Sequence, residues 1–200
     1  MTRISPRSVP FDASTPSAMP TPPESDRLRL RPFTDTDAPF VRDLVTQPAW
    51  LEWIGDRGVQ TDADALAFIR DRLRAHHAEH GFGFWLVERK PDGAPLGMCG
   101  LIDRPGLDGV DLGYALHPDH WGQGYAREAA RATAAWARDV LGLARLCAIV
   151  TPGNAPSVRV LEAVGLRRVG AKRLPGADGE PDDVVDLYAV EWAADAAGPA

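Results

Sequence analysis

Trp121-Gly122-Gln123-Gly124-Tyr125-Ala126 decides how this 200-residue chain is read. The run lies between Val110 to Leu116, which reads as a strand ended by Pro118, and Tyr125 to Leu141. In the latter, Ala126, Ala129, Ala130, Ala134 and Ala137 suit a helix packed closely on a sheet. Two glycines at a strand-to-helix junction let the backbone turn tightly and approach a ligand, and the N–H groups opening the helix carry positive partial charge. That geometry suits phosphate without lysines, although a plain Gly-rich connection would look the same over six residues. A dinucleotide-binding turn needs a third Gly or Ala where Arg127 stands, and an acid ending the following strand where Val150-Thr151 stand. A P-loop needs Gly-Lys-Ser/Thr, which is absent. What remains is a phosphate turn flanked by Val110 to Leu116 and by Asn154-Ala155-Pro156-Ser157.

Working outward, Leu28, Leu30 and Pro32 alternate with Arg27, Arg29 and Arg31, the period of a half-buried strand. Asp35 or Thr36 caps a helix through Thr46, with Phe40, Leu44 and Val45 on its buried side and Pro48 beyond its end. A second helix starts near Thr61 or Asp62, carries the stripe Ala65, Leu66, Ile69, Leu73, and fades into His76, His77 and His80. Phe82 to Arg89 and Leu96 to Ile102 read as antiparallel strands about a Pro91-Asp92-Gly93 turn. Leu143 to Val150 is a buried strand, a helix runs from Asn154 to a Gly165 cap, and Leu166 to Leu174 with Val184 to Trp192 form a hairpin. This order of strands and helices fits a mixed α/β or α+β fold.

Composition limits the rest. With 44% hydrophobic and 25% charged residues, the chain can bury one core. Residues 1–25, rich in Pro, Ser and Thr, are expected to form a flexible tail, 26–193 the domain, and 194–200 a flexible C-terminus. A net charge of −6 offers no general attraction for nucleic acid or anionic membrane. No stretch reaches the roughly 20 apolar residues of a membrane span, no apolar signal core opens the chain, and Cys99 and Cys147 sit in apolar runs as buried thiols. These features point to the cytoplasm.

The sequence resembles the GNAT family of N-acetyltransferases, and within it the branch acting on ribosomal-protein N-termini. The resemblance rests on Asp111-Leu112-Gly113-Tyr114-Ala115-Leu116-His117-Pro118, on Trp121 to Ala129, and on Asn154 and Ser157 with Leu161, Gly165 and Leu166. It extends over nearly all of the chain after Asp26. The broader family has Arg or Gln where Trp121 stands, whereas this branch commonly has Trp. The resemblance implies a mostly antiparallel central sheet of six to seven strands with helices on both faces, and acetyl-CoA as donor. The strand ending at Leu116 would splay from Leu143 to Val150, with the pantetheine arm in the gap. Backbone groups of Leu116 and Pro118 would hold the arm, Gly122, Gln123, Gly124, Tyr125 and Ala126 the pyrophosphate, and Asn154 the pantetheine, with His117 and Trp121 in the same cofactor site. Asn154 could equally be a helix N-cap.

Acyl transfer to an amine needs a neutral amine, a stabilised oxyanion and a tolerated thiolate. A main-chain N–H near Leu116 is the natural oxyanion donor. Ser157 occupies the position this branch uses for the acid, where an ordinary first-turn serine is the alternative. Asp111, acting through water, is the first choice for the base, against an exposed strand aspartate paired with an arginine. Pro48 to Arg57 joins the first two helices, where the family builds its acceptor site. Trp50 and Trp53 could wall a pocket or simply cap the core, and Glu52 or Asp56, beside Arg57, could draw a cationic amine. His76 and His80 lie four apart, but no third ligand has an evident position, so no metal is expected. The expected reaction is direct attack by a protein N-terminal amine or a small-molecule amine, by a monomer or homodimer. A catalytically silent acyl-CoA-binding module is the rival.

Overall fold

Alternation in Phe84-Trp85-Leu86-Val87 sends Trp85 and Val87 to one face of a sheet and Phe84 and Leu86 to the other, and each face carries its own core. A computed structural model describes residues 20–174 and 183–192. Its strands are β1 (Leu28–Arg31), β2 (Phe84–Arg89), β3 (Pro95–Ile102), β4 (Val110–Leu116), β5 (Arg145–Val150), β6 (Arg167–Leu174) and β7 (Asp183–Glu191). They form a seven-stranded sheet in the order β1-β2-β3-β4-β5-β7-β6. Every pairing is antiparallel except β4 with β5. The mixed, mostly antiparallel sheet with helices on both faces is thus the observed fold.

The helices are α1 (Ala38–Val45), α2 (Pro48–Trp53), α3 (Asp62–Phe68), α4 (Ala75–His80), α5 (Tyr125–Asp139) and α6 (Ala155–Val164). Ala129, Ala130, Ala134 and Ala137 of α5 and Leu161 of α6 pack with Trp85, Cys99, Leu112 and Leu146 on one face. Val41 and Leu44 of α1, Ala65 of α3, Ile69 and Leu73 pack with Leu86 and Met98 on the other. Among the described residues, no helix is long and apolar enough to cross a membrane.

Several boundaries differ from expectation for identifiable reasons. The entry to α1 is fixed by Asp37, whose carboxylate accepts from the Thr34 N–H at 2.7 Å and takes Arg31 through two bonds of 2.8 Å. Of the two expected caps, Asp35 and Thr36, neither serves: Thr34 is the N-cap, and Asp35 pairs outward with Arg70 and Arg74. Pro48 opens α2 rather than lying in a loop, since the first helical position needs no N–H. The second predicted helix spans α3 and α4 through one wide π-type turn, Ile69–Arg74. The chain is fixed before Asp26: Thr21 C=O accepts from Trp136 Nε1 at 2.8 Å, and Ser25 Oγ donates to Glu128 at 2.7 Å. Residues 1–19 of the expected tail, 175–182 of the hairpin loop and 193–200 lie outside the described residues.

Candidate active site

β4 and β5 pair through only two positions, Val110 with Leu146 and Asp111 with Cys147. Beyond them β4 follows β3 as far as Gly97 with Leu116, and β5 follows β7. The two strands therefore splay from Leu112 onward. The His117 N–H donates to Leu96 C=O at 2.9 Å, which sets the alternation along β4. It turns the peptide groups of Ala115 and Gly113 to β3 and those of Leu116, Tyr114 and Leu112 toward the gap. Trp121 Nε1 donates to Leu116 C=O at 2.8 Å, so of that pair the N–H is left for a ligand.

Asp111 sits at the apex of the splay. It is 2% exposed, not the exposed strand residue of the rival reading, though it does pair with an arginine. One carboxylate oxygen accepts from Arg104 Nε at 3.0 Å and the other from the Ile149 N–H at 3.2 Å. The side chain thus takes the place of a main-chain acceptor on β4 and holds the strands at the point where they part. Burial pushes its carboxyl above the usual range, against the pull of Arg104. Each oxygen takes one of these bonds and keeps a further acceptor site.

The gap leads to the glycine turn. Gly122 and Gly124 have φ of +73° and +80°, values that favour glycine, and Gly124 is the N-cap of α5. No side chain caps this helix, so the first-turn N–H groups point outward. Two arginines flank the turn: Arg27 stacks on the Tyr125 ring at 4.5 Å and donates to Gln123 C=O at 3.2 Å, while Arg127 stands beside Gly124. With Glu24, Ser25 and Glu128 they border a groove of about 360 Å³. Neither arginine was assigned a role from the sequence. Arg27 reads there as one of three alternating strand arginines, and Arg127 only as a missing glycine.

On the far wall, Asn154 caps α6, its Oδ1 accepting from the Ser157 N–H at 3.1 Å. Its amide NH2 has no protein partner among the described residues. The Tyr114 hydroxyl donates to Ser157 C=O at 2.9 Å, so across the 2.8 Å contact between the two hydroxyls it is the Ser157 O–H that donates. Tyr114 thereby bridges β4 and α6 across the splay, and burial pushes its phenol above the ordinary value. The sequence reading passed over it. Its signal is the two-residue period that puts Tyr114 on the face of Leu112 and Leu116. His117 is turned away: its Nδ1 accepts from the Asp119 N–H at 3.3 Å, and its Nε2 meets Asp43 of α1 at 3.2 Å.

In the expected acceptor segment, Trp50 is 7% exposed and packs in the core with α1 and α3, and its buried indole N–H has no hydrogen-bond partner among the described residues. Trp53 is half-buried, and its carbonyl accepts from Thr151 Oγ1 at 3.0 Å, which brings α2 to the end of β5. Asp56 accepts from the Gly58 N–H at 2.8 Å, closing a local turn. Arg57 Nη2 donates to Ile54 C=O at 3.2 Å.

Comparison with known proteins agrees with this architecture. The Acetyltransferase (GNAT) domain model matches residues 27–167. The chain is 34% identical over 154 residues, 74% of its own length and 84% of the relative's, to the uncharacterized N-acetyltransferase p20 of Bacillus licheniformis. A GNAT-family acetyltransferase from Bacillus anthracis superposes with a TM-score of 0.70 at 25% identity, covering 84% of this chain and 97% of the other. RimL, a ribosomal L7/L12 alpha-N-protein acetyltransferase solved with coenzyme A, superposes with a TM-score of 0.72. There the coverage is 88% and 99%, and at 18% identity the likeness is one of fold.

Proposed function

The chain belongs to the GNAT family of acetyltransferases, and from that premise we propose which of its groups hold acetyl-CoA and carry its acetyl group to an amine. As a member it is an N-acetyltransferase dependent on acetyl-CoA. The observation that carries the residue assignment is the continuity of the site. A gap lined by unpaired peptide groups of β4 runs into the uncapped N-terminus of α5 through Gly122 and Gly124. In this reading the N–H groups of Gln123 to Ala126 hold the pyrophosphate and Leu116, Pro118 and the Asn154 amide hold the pantetheine arm, while Arg127 adds positive charge beside the turn and Arg27, ion-paired with Glu128, braces it.

The chemistry then needs little from side chains. A neutral amine attacks the thioester carbon, and the Tyr114 or Leu116 N–H donates to the oxyanion that forms. The C–N bond is kept and the C–S bond breaks, and the proton lost by nitrogen balances the one the sulfur gains. Ser157, held beside Tyr114, turns its one hydroxyl proton from the phenol oxygen to the departing sulfur. Asp111 shapes the gap and, with an acceptor site left on each oxygen, takes the amine proton through water in this reading. No enzyme thioester is involved: Cys99 and Cys147 are buried, and burial pushes the Cys99 thiol up to about 12.

The test is thiol release from acetyl-CoA in the presence of N-terminal peptides and small amines. Release that depends on the added amine is expected. If acetyl-CoA raises the melting temperature but no amine releases thiol, the chain is a silent acyl-CoA-binding module and the catalytic assignments fail.

A further inference from the structure

A single aromatic side chain lies across three strands on the face of the sheet away from α5. Phe84 of β2 stands opposite Gly100 of β3, and Gly100 opposite Gly113 of β4. A Cβ on Gly100 would overlap the backbone of Gly83 and Phe84, and one on Gly113 would stand 2.7 Å from Phe84 Cζ and 3.1 Å from Cε1. Neither position has room for a side chain, so the ring lies along this row with its tip on β4. His77 Nε2 donates to Phe84 C=O at 2.9 Å and fixes the start of β2.

That tip stands beside the groups that carry the chemistry. The donor's partners, which are the uncapped end of α5, Asn154, Ser157 and the Tyr114 hydroxyl, belong to the α5 and α6 side of the sheet. Alternation along β4 turns Asp111, Gly113 and Ala115 to the other side, which is left to the amine. Gly113 adjoins Tyr114, whose N–H is one of the two oxyanion donors, and lies roughly 7 Å along the strand from Asp111. The place of its missing side chain is bordered by Phe84 and by Ile102 Cδ1, which is 3.4 Å from where a Cβ would be. Phe84, Ile102, Gly113 and Ala115 are each only half-buried, so this apolar surface is open to a ligand. Phe84 also lines a cavity of about 180 Å³ with Pro32, Phe33, Leu73 and His77, so the residue borders both the cavity and Gly113.

We propose that Phe84, seated by Gly100 and Gly113, selects the acceptor, so that the preferred substrate is a primary amine whose nitrogen carries a compact apolar substituent, up to the size of a benzyl group. This rests on the acetyltransferase reading and names its substrate class. Because the ring tip is one residue from the oxyanion donor, it meets the first carbons of the acceptor rather than a distant group. A hydroxyl or second charge placed there loses water against Phe84 and Ile102, neither of which offers it a hydrogen bond. A larger ring system collides with Phe84, which stands between it and the cavity.

The experiment measures thiol release from acetyl-CoA, with kcat/KM referred to the neutral amine. Propylamine should exceed its isostere ethanolamine about tenfold, and benzylamine should exceed 2-naphthylmethylamine by about the same factor. Phe84→Ala joins the cavity to the acceptor surface, so it should invert the preference for benzylamine while the KM for acetyl-CoA stays unchanged. Phe84→Leu keeps the core filled and should move that ratio the same way by a smaller factor, which decides the point if Phe84→Ala does not fold. A ring with only a structural role would lower the rates for all amines together. Ethanolamine used as well as propylamine, or a ratio of benzylamine to 2-naphthylmethylamine unaltered in the folded variants, overturns the proposal. If no amine releases thiol, the acetyltransferase reading fails separately, and calorimetric titration of the two aryl amines into CoA-saturated protein still decides the point. A ratio of affinities that shifts toward the larger amine in the variants supports the acceptor surface, and no binding, or a ratio that does not shift, refutes it.

Discussion

Removing the Tyr114 hydroxyl tests whether the two facing walls of the gap act as one unit. In Tyr114→Phe the bonds of 2.9 Å to Ser157 C=O and 2.8 Å to Ser157 Oγ both go. A hydrogen bond of this kind contributes about 0.5–1.5 kcal/mol net, and the ring itself stays packed, so the variant should lose about 1 kcal/mol. For a chain of this size that is a fall of about 2–4 °C in melting temperature. The kinetic effect is separate. If Ser157 donates to the leaving sulfur, its bond to a developing thiolate is worth about 1.5–3 kcal/mol. Ser157→Ala should therefore lower kcat about tenfold to a hundredfold, at about 1.4 kcal/mol per decade. Tyr114→Phe only loosens the orientation of that donor and should cost about three- to tenfold, with the KM for acetyl-CoA nearly unchanged. The double variant should be no slower than Ser157→Ala, because Tyr114 acts through Ser157. The phenol's raised pKa keeps it protonated throughout the assay range, so Tyr114→Phe should leave the shape of the pH profile intact. Steady-state thiol release for the four proteins decides it. Effects that multiply, or a Ser157→Ala enzyme with full kcat, would refute the linked-hydroxyl account.

Two further substitutions address the donor turn and the apex. Gly124→Ala forces an alanine to φ near +80°, which costs about 1–2 kcal/mol. The added methyl would meet Arg27 at 3.6 Å and Arg127 at 3.8 Å, ordinary contacts, so the cost is a backbone one. Calorimetric affinity for CoA should fall about tenfold, and unaltered affinity would remove the turn from the site. For Asp111→Asn the expectation concerns pH. Burial raises the folded-state pKa of Asp111, so the wild type loses stability as pH rises from the ordinary aspartate range, about 4, to that higher value. Asparagine cannot ionise, so urea midpoints should shift in favour of the variant across that interval and stay parallel above it. Midpoints parallel from acid to neutral pH would show that Asp111 is not forced to hold its proton by the fold.

Local patterns made much of the fold and the donor side of the site readable in the sequence. The alternation at Leu28 to Pro32, the glycines at 122 and 124 and the small-residue face of α5 each express a constraint within a few consecutive residues. Asn154 and Ser157 join the turn only through the family resemblance, since a helix and a strand lie between them. The boundaries that moved did so where a distant partner intervened. Arg31 reaches across to Asp37 and sets the start of α1, and Glu128 with Trp136 draws the segment before Asp26 onto α5.

The acceptor side was less legible for a physical reason. Its charge balance is decided by which side chains are already neutralised, and that depends on contacts between segments far apart in the chain. Read in order, Glu52, Asp56 and Arg57 give an acidic stretch that favours a cationic amine. Folded, Asp56 closes on Gly58, Arg57 turns back to the Ile54 carbonyl and Glu52 faces solvent, while Thr151 at the end of β5 holds the carbonyl of Trp53. Which of these charges meets the acceptor is thus a tertiary property. It follows that Asp56→Ala, which removes the turn on Gly58, should alter acceptor choice more than Glu52→Gln, whose carboxylate faces solvent. Relative kcat/KM for cationic and neutral acceptors in these two variants checks that ordering, and a larger change in Glu52→Gln would reverse it.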